Sequence, residues 1–262
     1  MNIHPTAIVD KKAELADGVE VGPYCFIGPN VRIGSGTVIG AHAVIDGYTA
    51  IGRNNRIFTG AVIGSITQDL KFKGEKSYVK IGDNNIIREY VTVNMGTEKE
   101  SSTVVGDNAL LMAYSHVAHD CIVKDGAILA NCVALAGYVT IEEKDIIGGL
   151  CGVHQFVRIG KLAIIGGCSK ATQDVVPFSN CDGHPLKVYG LNTIGLERSK
   201  VSHESKLNLK KAFKILFNSG LSLKHASEKA EKENRPCKEV SYLINFVKSS
   251  ERGVARSCRL KQ

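Results

Sequence analysis

Aliphatic side chains recur along this chain with a period of six. Val9, Leu15, Val21, Ile27, Ile33, Ile39, Ile45, Ile51, Ile57 and Ile63 keep strict phase. The phase resumes at Ile81, Ile87 and Val93, and again from Val105 through Val117, Leu135 and Val153 to Ile165. Of the 27 positions in this phase, 24 are Ile, Leu or Val. A helix needs a period near 3.6 and a flat strand a period of two, so neither accounts for the ladder. A repeat of short strand and corner does, with one aliphatic side chain per hexad turned into a narrow core. Glycine follows the aliphatic residue in Val21-Gly22, Ile33-Gly34, Ile51-Gly52 and Ile81-Gly82, and is expected to supply the tight corners.

This repeat resembles the hexapeptide-repeat proteins. The resemblance implies a mainly β fold, a left-handed parallel β-helix with three hexads, or eighteen residues, per triangular coil. Two segments interrupt the ladder without shifting its phase, near 64–80 and 94–104, and are expected as loops thrown outward from an intact coil. After Ala171 the phase fails. Leu209, Ala212, Phe213, Leu216 and Phe217, then Val240, Leu243, Ile244 and Val247, take up helical spacing. Ser202 and Gly220 bound the first of these helices, and a middle helix ends at Asn234 and Pro236. The expected organisation is a β-helix over 1–186 and a small C-terminal helical domain over 187–262.

Composition narrows the class. The chain has no run of eighteen apolar residues and no basic, apolar leader at its start, which predicts a cytoplasmic protein without a transmembrane segment. Eight cysteines are scattered with no Cys-x-x-Cys pair, so reduced thiols are expected. Residues 191–262 carry 16 Lys and Arg against 7 Asp and Glu, while the first 190 residues carry 17 against 19. That asymmetry suits either an acidic partner (nucleic acid, membrane surface or acidic protein) or a solvated basic face.

Candidate chemistry gathers at Ser115-His116-Val117-Ala118-His119-Asp120. The segment alone fits a metal site, a general-base pair or two surface histidines. With eighteen residues per coil, residues one turn apart stack at about 4.8 Å. His119, Gly137 and Gln155 then share a column, and Asp120 and Tyr138 share the next. His116 lies one segment away and His154 two coils up. So many polar groups at one corner of an Ala- and Gly-rich region favour a functional site.

Several motifs together resemble those of the acyl-carrier-protein:UDP-N-acetylglucosamine O-acyltransferase family. They are Gln68-Asp69-Leu70-Lys71-Phe72-Lys73-Gly74-Glu75, Ile87-Arg88-Glu89, His116-Val117-Ala118-His119-Asp120, Leu135-Ala136-Gly137, Ile146-Ile147-Gly148-Gly149 and Gly152-Val153-His154-Gln155-Phe156. The resemblance covers nearly the whole chain. It implies a cytoplasmic homotrimer with clefts between subunits, which moves a 3-hydroxyacyl chain from acyl carrier protein to the sugar 3-hydroxyl of UDP-N-acetylglucosamine, the first step of lipid A synthesis. No metal, nucleic acid or cofactor beyond the carrier thioester is implied.

On this resemblance His119 is the general base, Asp120 its orienting partner, and Gly137 the backbone N–H donor to the oxyanion. Gln68, Asp69, Lys71, His116, Tyr138, His154 and Gln155 bind substrate, with Asn192 and Arg198 holding the nucleotide phosphates. Gly167 sets acyl length and, being small, implies a long chain. The basic stripe Lys206, Lys210 and Lys214 suits the acidic carrier. Tyr138, Ser199 and Met95 depart from the family's common histidine and two arginines, which keeps open an acceptor acylated on an amino group. A zinc-dependent enzyme of the γ-carbonic-anhydrase type is the other alternative.

Overall fold

A computed structural model describes residues 2–235 and 237–257. Pro236, expected near the end of the middle helix, lies outside the described residues. Each hexad contributes a strand of mostly two residues, as in His116–Val117, Ile122–Val123 and Ile128–Leu129. Side chains alternate across such a strand, so the first points outward and the second inward. In Ile122–Val123 the first is exposed and the second buried.

Strands one turn apart pair in parallel, with His116 beside Ala134 and Ala134 beside Gly152. The result, among the described residues, is three sheets of 11, 9 and 8 strands, the walls of a triangular coil. The aliphatic ladder fills the interior, with Ile27, Ile45, Ile63, Val117 and Leu135 fully buried.

The corners differ from the sequence expectation. Gly22, Gly34, Gly52 and Gly82 do not take the left-handed conformation; that falls two residues later, at Tyr24, Gly36, Asn54 and Asn84. The reason for glycine is close approach between stacked coils. A Cβ on Gly34 would stand 2.6 Å from the Gly52 carbonyl carbon, and one on Gly22 would stand 2.9 Å from the Ile39 carbonyl oxygen. Asp120, Tyr138 and Phe156 form one stacked column of left-handed residues, with φ of 58°, 61° and 66°.

Both interruptions are excursions from the coil, leaving after strand Val62–Ser65 and after strand Thr92–Asn94. The sheet pairs Ile57 with Ile87 and Ile87 with Leu111, spacings that exceed one turn by whole hexads. The two loops rise from neighbouring turns of one wall and hold each other. Asn94 Nδ2 donates to Ile66 O at 3.1 Å, and Ser77 Oγ donates to Gly96 O at 2.7 Å.

Beyond the coil an antiparallel hairpin, Ser179–Asp182 with Lys187–Leu191, extends the largest sheet. The change from strand to helix therefore falls between Leu191 and Thr193. Among the described residues four helices follow: α1 (Thr193–Arg198), α2 (His203–Asn218), α3 (Leu223–Glu233) and α4 (Lys238–Lys248). Ser202 and Ser222 cap α2 and α3 by accepting from Ser205 N and His225 N. The helical stripe Leu209, Ala212, Leu216, Leu243 and Ile244 is buried. Arg158 ties the coil to α4, lying 4.5 Å over the Phe246 ring and 3.5 Å from Asp174. Among the described residues no helix is long and apolar enough to cross a membrane.

Candidate active site

The two histidines of the segment Ser115 to Asp120 are held on one short stretch of coil for different reasons. Val117 is the inward rung and fully buried, which pins the backbone on both sides of it. His116 is the outward residue of the same strand, where its Nδ1 meets Thr92 Oγ1 at 2.7 Å. Burial, with His119 nearby, lowers its pKa below the ordinary histidine value.

His119 sits at the following corner, 8 % exposed. Its Nδ1 lies 3.0 Å from Asp120 Oδ2, and its Nε2 faces Asp69 Oδ2 at 3.9 Å. Gly137 stacks directly above it. A Cβ there would collide with Cε1 and Nε2 of the imidazole, so only glycine leaves room for the ring. Ala136 N and Tyr138 N donate to Val153 O and His119 O, while Gly137 N–H donates to no carbonyl among the described residues.

Asp120 is held from below by the second loop. Thr97 donates to Asp120 Oδ2 twice, from its hydroxyl at 2.6 Å and from its backbone N–H at 3.0 Å, and Asp120 N donates to Thr103 Oγ1. Burial alone would push the carboxyl up, but hydrogen bonds from Ser101, Thr97 and His119 outweigh it and hold the carboxyl below its usual range. The histidine is therefore paired with an anion.

A cleft of about 960 Å³ opens in front of this pair. The first loop lines it with Gln68, Asp69 and Lys71, and the coil with His116, His119, Gly137, His154 and Gln155. Asp69 Oδ1 accepts from Lys71 N at 2.8 Å, which fixes the loop's turn. Leu150, Cys168, Ser169 and Lys170 also line the cleft and carry no sequence signal beyond the repeat itself.

Five of the expected site residues lie off this cleft, Asp120 among them, behind His119. Tyr138, expected to contact substrate, turns its hydroxyl to Thr97 Oγ1 at 3.0 Å. Its ring stacks on Phe156 and meets His119 edge-on at 5.2 Å. Gly167 lies over Gly149, one residue before Cys168 on the cleft wall. Asn192 caps α1, accepting from Gly195 N and donating to Leu162 O, both at 2.9 Å. Arg198 is exposed in the last turn of α1. Of the departing positions, Met95 is buried and Ser199 caps the end of α1. Among the described residues no group of three or more His, Cys, Asp or Glu is placed to hold a metal ion.

A histidine paired with a buried carboxylate and facing an open cleft on a hexapeptide coil suits the proton transfer of a hexapeptide-repeat acyltransferase. Residues 102–137 match the model described as bacterial transferase hexapeptide (six repeats), and residues 174–255 match that of UDP-N-acetylglucosamine O-acyltransferase, domain 2. The acyl-[acyl-carrier-protein]–UDP-N-acetylglucosamine O-acyltransferase of Thermodesulfovibrio yellowstonii is 48% identical over 97% of this chain and 99% of its own. That of Syntrophobacter fumaroxidans is 47% identical over 98% and 100%. The LpxA structure from Acinetobacter baumannii superposes with a TM-score of 0.94 at 42% identity, covering 97% of this chain and 99% of its own. The chain belongs to the acyl-[acyl-carrier-protein]–UDP-N-acetylglucosamine O-acyltransferase family. Its coil is the left-handed parallel β-helix of those structures. The relatives are named for O-acyl transfer, neither for amino-sugar acylation nor for carbonic anhydrase activity.

Proposed function

We propose that the chain transfers a 3-hydroxyacyl group from acyl carrier protein to the 3-hydroxyl of UDP-N-acetylglucosamine, the first step of lipid A biosynthesis. The observation that carries this reading is the His119–Asp120 pair, whose free Nε2 edge faces a cleft lined by Asp69 and Gly137.

In the proposed reaction His119 Nε2 takes the proton of the sugar 3-hydroxyl as that oxygen attacks the thioester carbonyl. The tetrahedral oxyanion accepts a hydrogen bond from Gly137 N–H, a preorganised donor of the kind that stabilises such intermediates. Collapse breaks the carbon–sulfur bond, and the proton on His119 passes to the departing thiolate. Asp120 keeps Nδ1 protonated and steadies the imidazolium while it exists.

Gln68, Asp69, Lys71, His116, His154 and Gln155 are proposed to seat the sugar nucleotide, and Gly167 to leave room for a long acyl chain. Asn192 and Arg198 would reach the nucleotide phosphates in a neighbour's cleft, which requires the homotrimer. An outward stripe of Ile86, Leu110, Ile128, Ile146 and Ile164 down the largest sheet supports that assembly, because a solvated β face alternates with polar residues. The compartment proposed is the cytoplasm, which a UDP-sugar acceptor and a carrier-protein donor require.

His119→Ala tests the reading. Removing a positioned base costs about 10² to 10⁴ in rate, so transfer from acyl carrier protein should fall to background while thermal unfolding stays that of the parent. Retention of more than a few per cent of activity would overturn the assignment.

A further inference from the structure

We propose that Thr97 and Tyr138 are positioning residues that set the proton arrangement of the His119–Asp120 pair through a chain of hydrogen bonds from the second loop. The proposal rests on the reading of His119 as the base. It deepens that reading by assigning roles to a loop residue and to a tyrosine that does not line the cleft.

Asp120 Oδ2 already accepts from the Thr97 backbone N–H at 3.0 Å and from the Thr97 hydroxyl at 2.6 Å. A hydroxyl has one proton, so Thr97 Oγ1 has none left for Tyr138, whose oxygen lies 3.0 Å away. Tyr138 must then be the donor in that contact. Among the described residues the competing acceptor is Glu98 Oε1, farther off at 3.5 Å. Every proton in the series therefore points the same way, from Tyr138 to Thr97 to Asp120. A carboxylate filled in this way accepts from His119 Nδ1 as well, which puts the imidazole proton on Nδ1 and leaves Nε2 bare toward the cleft.

The geometry limits what else these residues can do. Tyr138 is wedged between the Phe156 ring, stacked at 4.9 Å, and the His119 ring, met edge-on at 89°. Its hydroxyl is therefore directed along the coil corner toward the loop. The loop is itself fixed, since Ser77 Oγ donates to Gly96 O at 2.7 Å and Met95 is buried beside it. The charged and titratable groups facing the pair are Asp69 and Lys71 from the first loop, Glu98 from the second, His116 on the same segment, and Tyr138 and His154 from the turns above.

The test compares Thr97→Val, Thr97→Ser, Tyr138→Phe and His119→Ala in the full chain, with acyl carrier protein thioester and UDP-N-acetylglucosamine as substrates. At metal sites, losing the partner that orients a ligating histidine costs about 10- to 100-fold, and the same order is expected for a partner of this pair. Thr97→Val should lower kcat by that factor, with KM for the sugar nucleotide unchanged. With one donor fewer, Asp120 carries more uncompensated charge and favours the imidazolium, so the acid limb of the kcat/KM profile should move to higher pH. Tyr138→Phe should do the same to a smaller degree, and Thr97→Ser should restore the parent profile. An unmoved acid limb in Thr97→Val, a loss confined to KM, or a Thr97→Ser variant as impaired as Thr97→Val would each overturn the proposal. An inactive His119→Ala beside a parent-like Thr97→Val would leave the base in place and remove Thr97 from the mechanism. An active His119→Ala would sink both.

Discussion

Gly137→Ala separates the two parts proposed for this position, because alanine keeps the backbone N–H and adds only a methyl group. Gly137 is not among the residues with positive φ, so the backbone accepts the substitution without strain. The methyl has nowhere to go. It would overlap Cε1 and Nε2 of His119 and stand 3.0 Å from Nδ1. Ordinary contact needs about 3.5 to 4.0 Å, so the ring must shift by roughly 1 Å or more. Because Asp120 holds Nδ1, the shift swings Nε2 away from the position where it meets the hydroxyl.

A misplacement of about 1 Å can cost 10²-fold, equivalent to about 2.7 kcal/mol of barrier. The assay is kcat with saturating acyl carrier protein thioester and sugar nucleotide, alongside thermal unfolding to register any cost to the coil. A kcat within threefold of the parent would refute the claim that the ring's position is set by the absence of this one carbon.

Further outcomes follow from groups outside the cleft. Asp145 is fully buried, with Oδ1 accepting from Ala163 N at 2.8 Å and Oδ2 without a hydrogen-bond partner among the described residues. Burial pushes its carboxyl well above the usual range, against the lowering effect of the Ala163 bond, with Glu142 and Glu143 adding to the rise. A raised folded-state value means stability fully present below about pH 4 and lost as pH rises through that value. Asp145→Asn, which does not titrate, should flatten this decline in the thermal midpoint between pH 4 and 9; parallel curves would contradict it. On α2, Lys206 is paired with Glu197 at 3.6 Å, whereas Lys210 and Lys214 rim a 390 Å³ cavity floored by Phe213 and Phe217. Reversing both charges, Lys210→Glu with Lys214→Glu, should raise KM for the carrier protein about tenfold at low salt, a difference that shrinks as salt rises. An unchanged KM would leave these lysines as a solvated face.

The ladder and its columns were legible because one number, the period, converts sequence distance into height along the coil. His119 and Gly137 are eighteen apart, and the sheet stacks them. The glycine phase was visible for the same reason, but its cause was not. Period alone does not distinguish a left-handed corner from a backbone that must admit its neighbour, and Gly34 is the second kind.

The partners of Asp120 were hidden for a different reason. Thr97 leaves the coil on a loop, where the period says nothing about where the chain returns in space. Tyr138 shares the Asp120 column as expected, yet the loop decides where its hydroxyl points. The six residues of α1 are too few to show a helical period, so the cap formed by Asn192 carried no signal.

The two loops leave and re-enter a coil whose rungs are continuous beneath them, with Ile63 paired to Val93 and Val93 to Val117. On the proposed roles, base and acceptor recognition are thus built from different material. The histidine belongs to the repeat, and the side chains of Gln68, Asp69 and Lys71 belong to an appendage. Such an appendage can be exchanged for another of different length and chemistry while the hexads keep the imidazole where it is. On those proposed roles, new sugar preferences can be grafted as cassettes onto an unaltered engine, provided the smaller loop with Thr97 stays with its histidine.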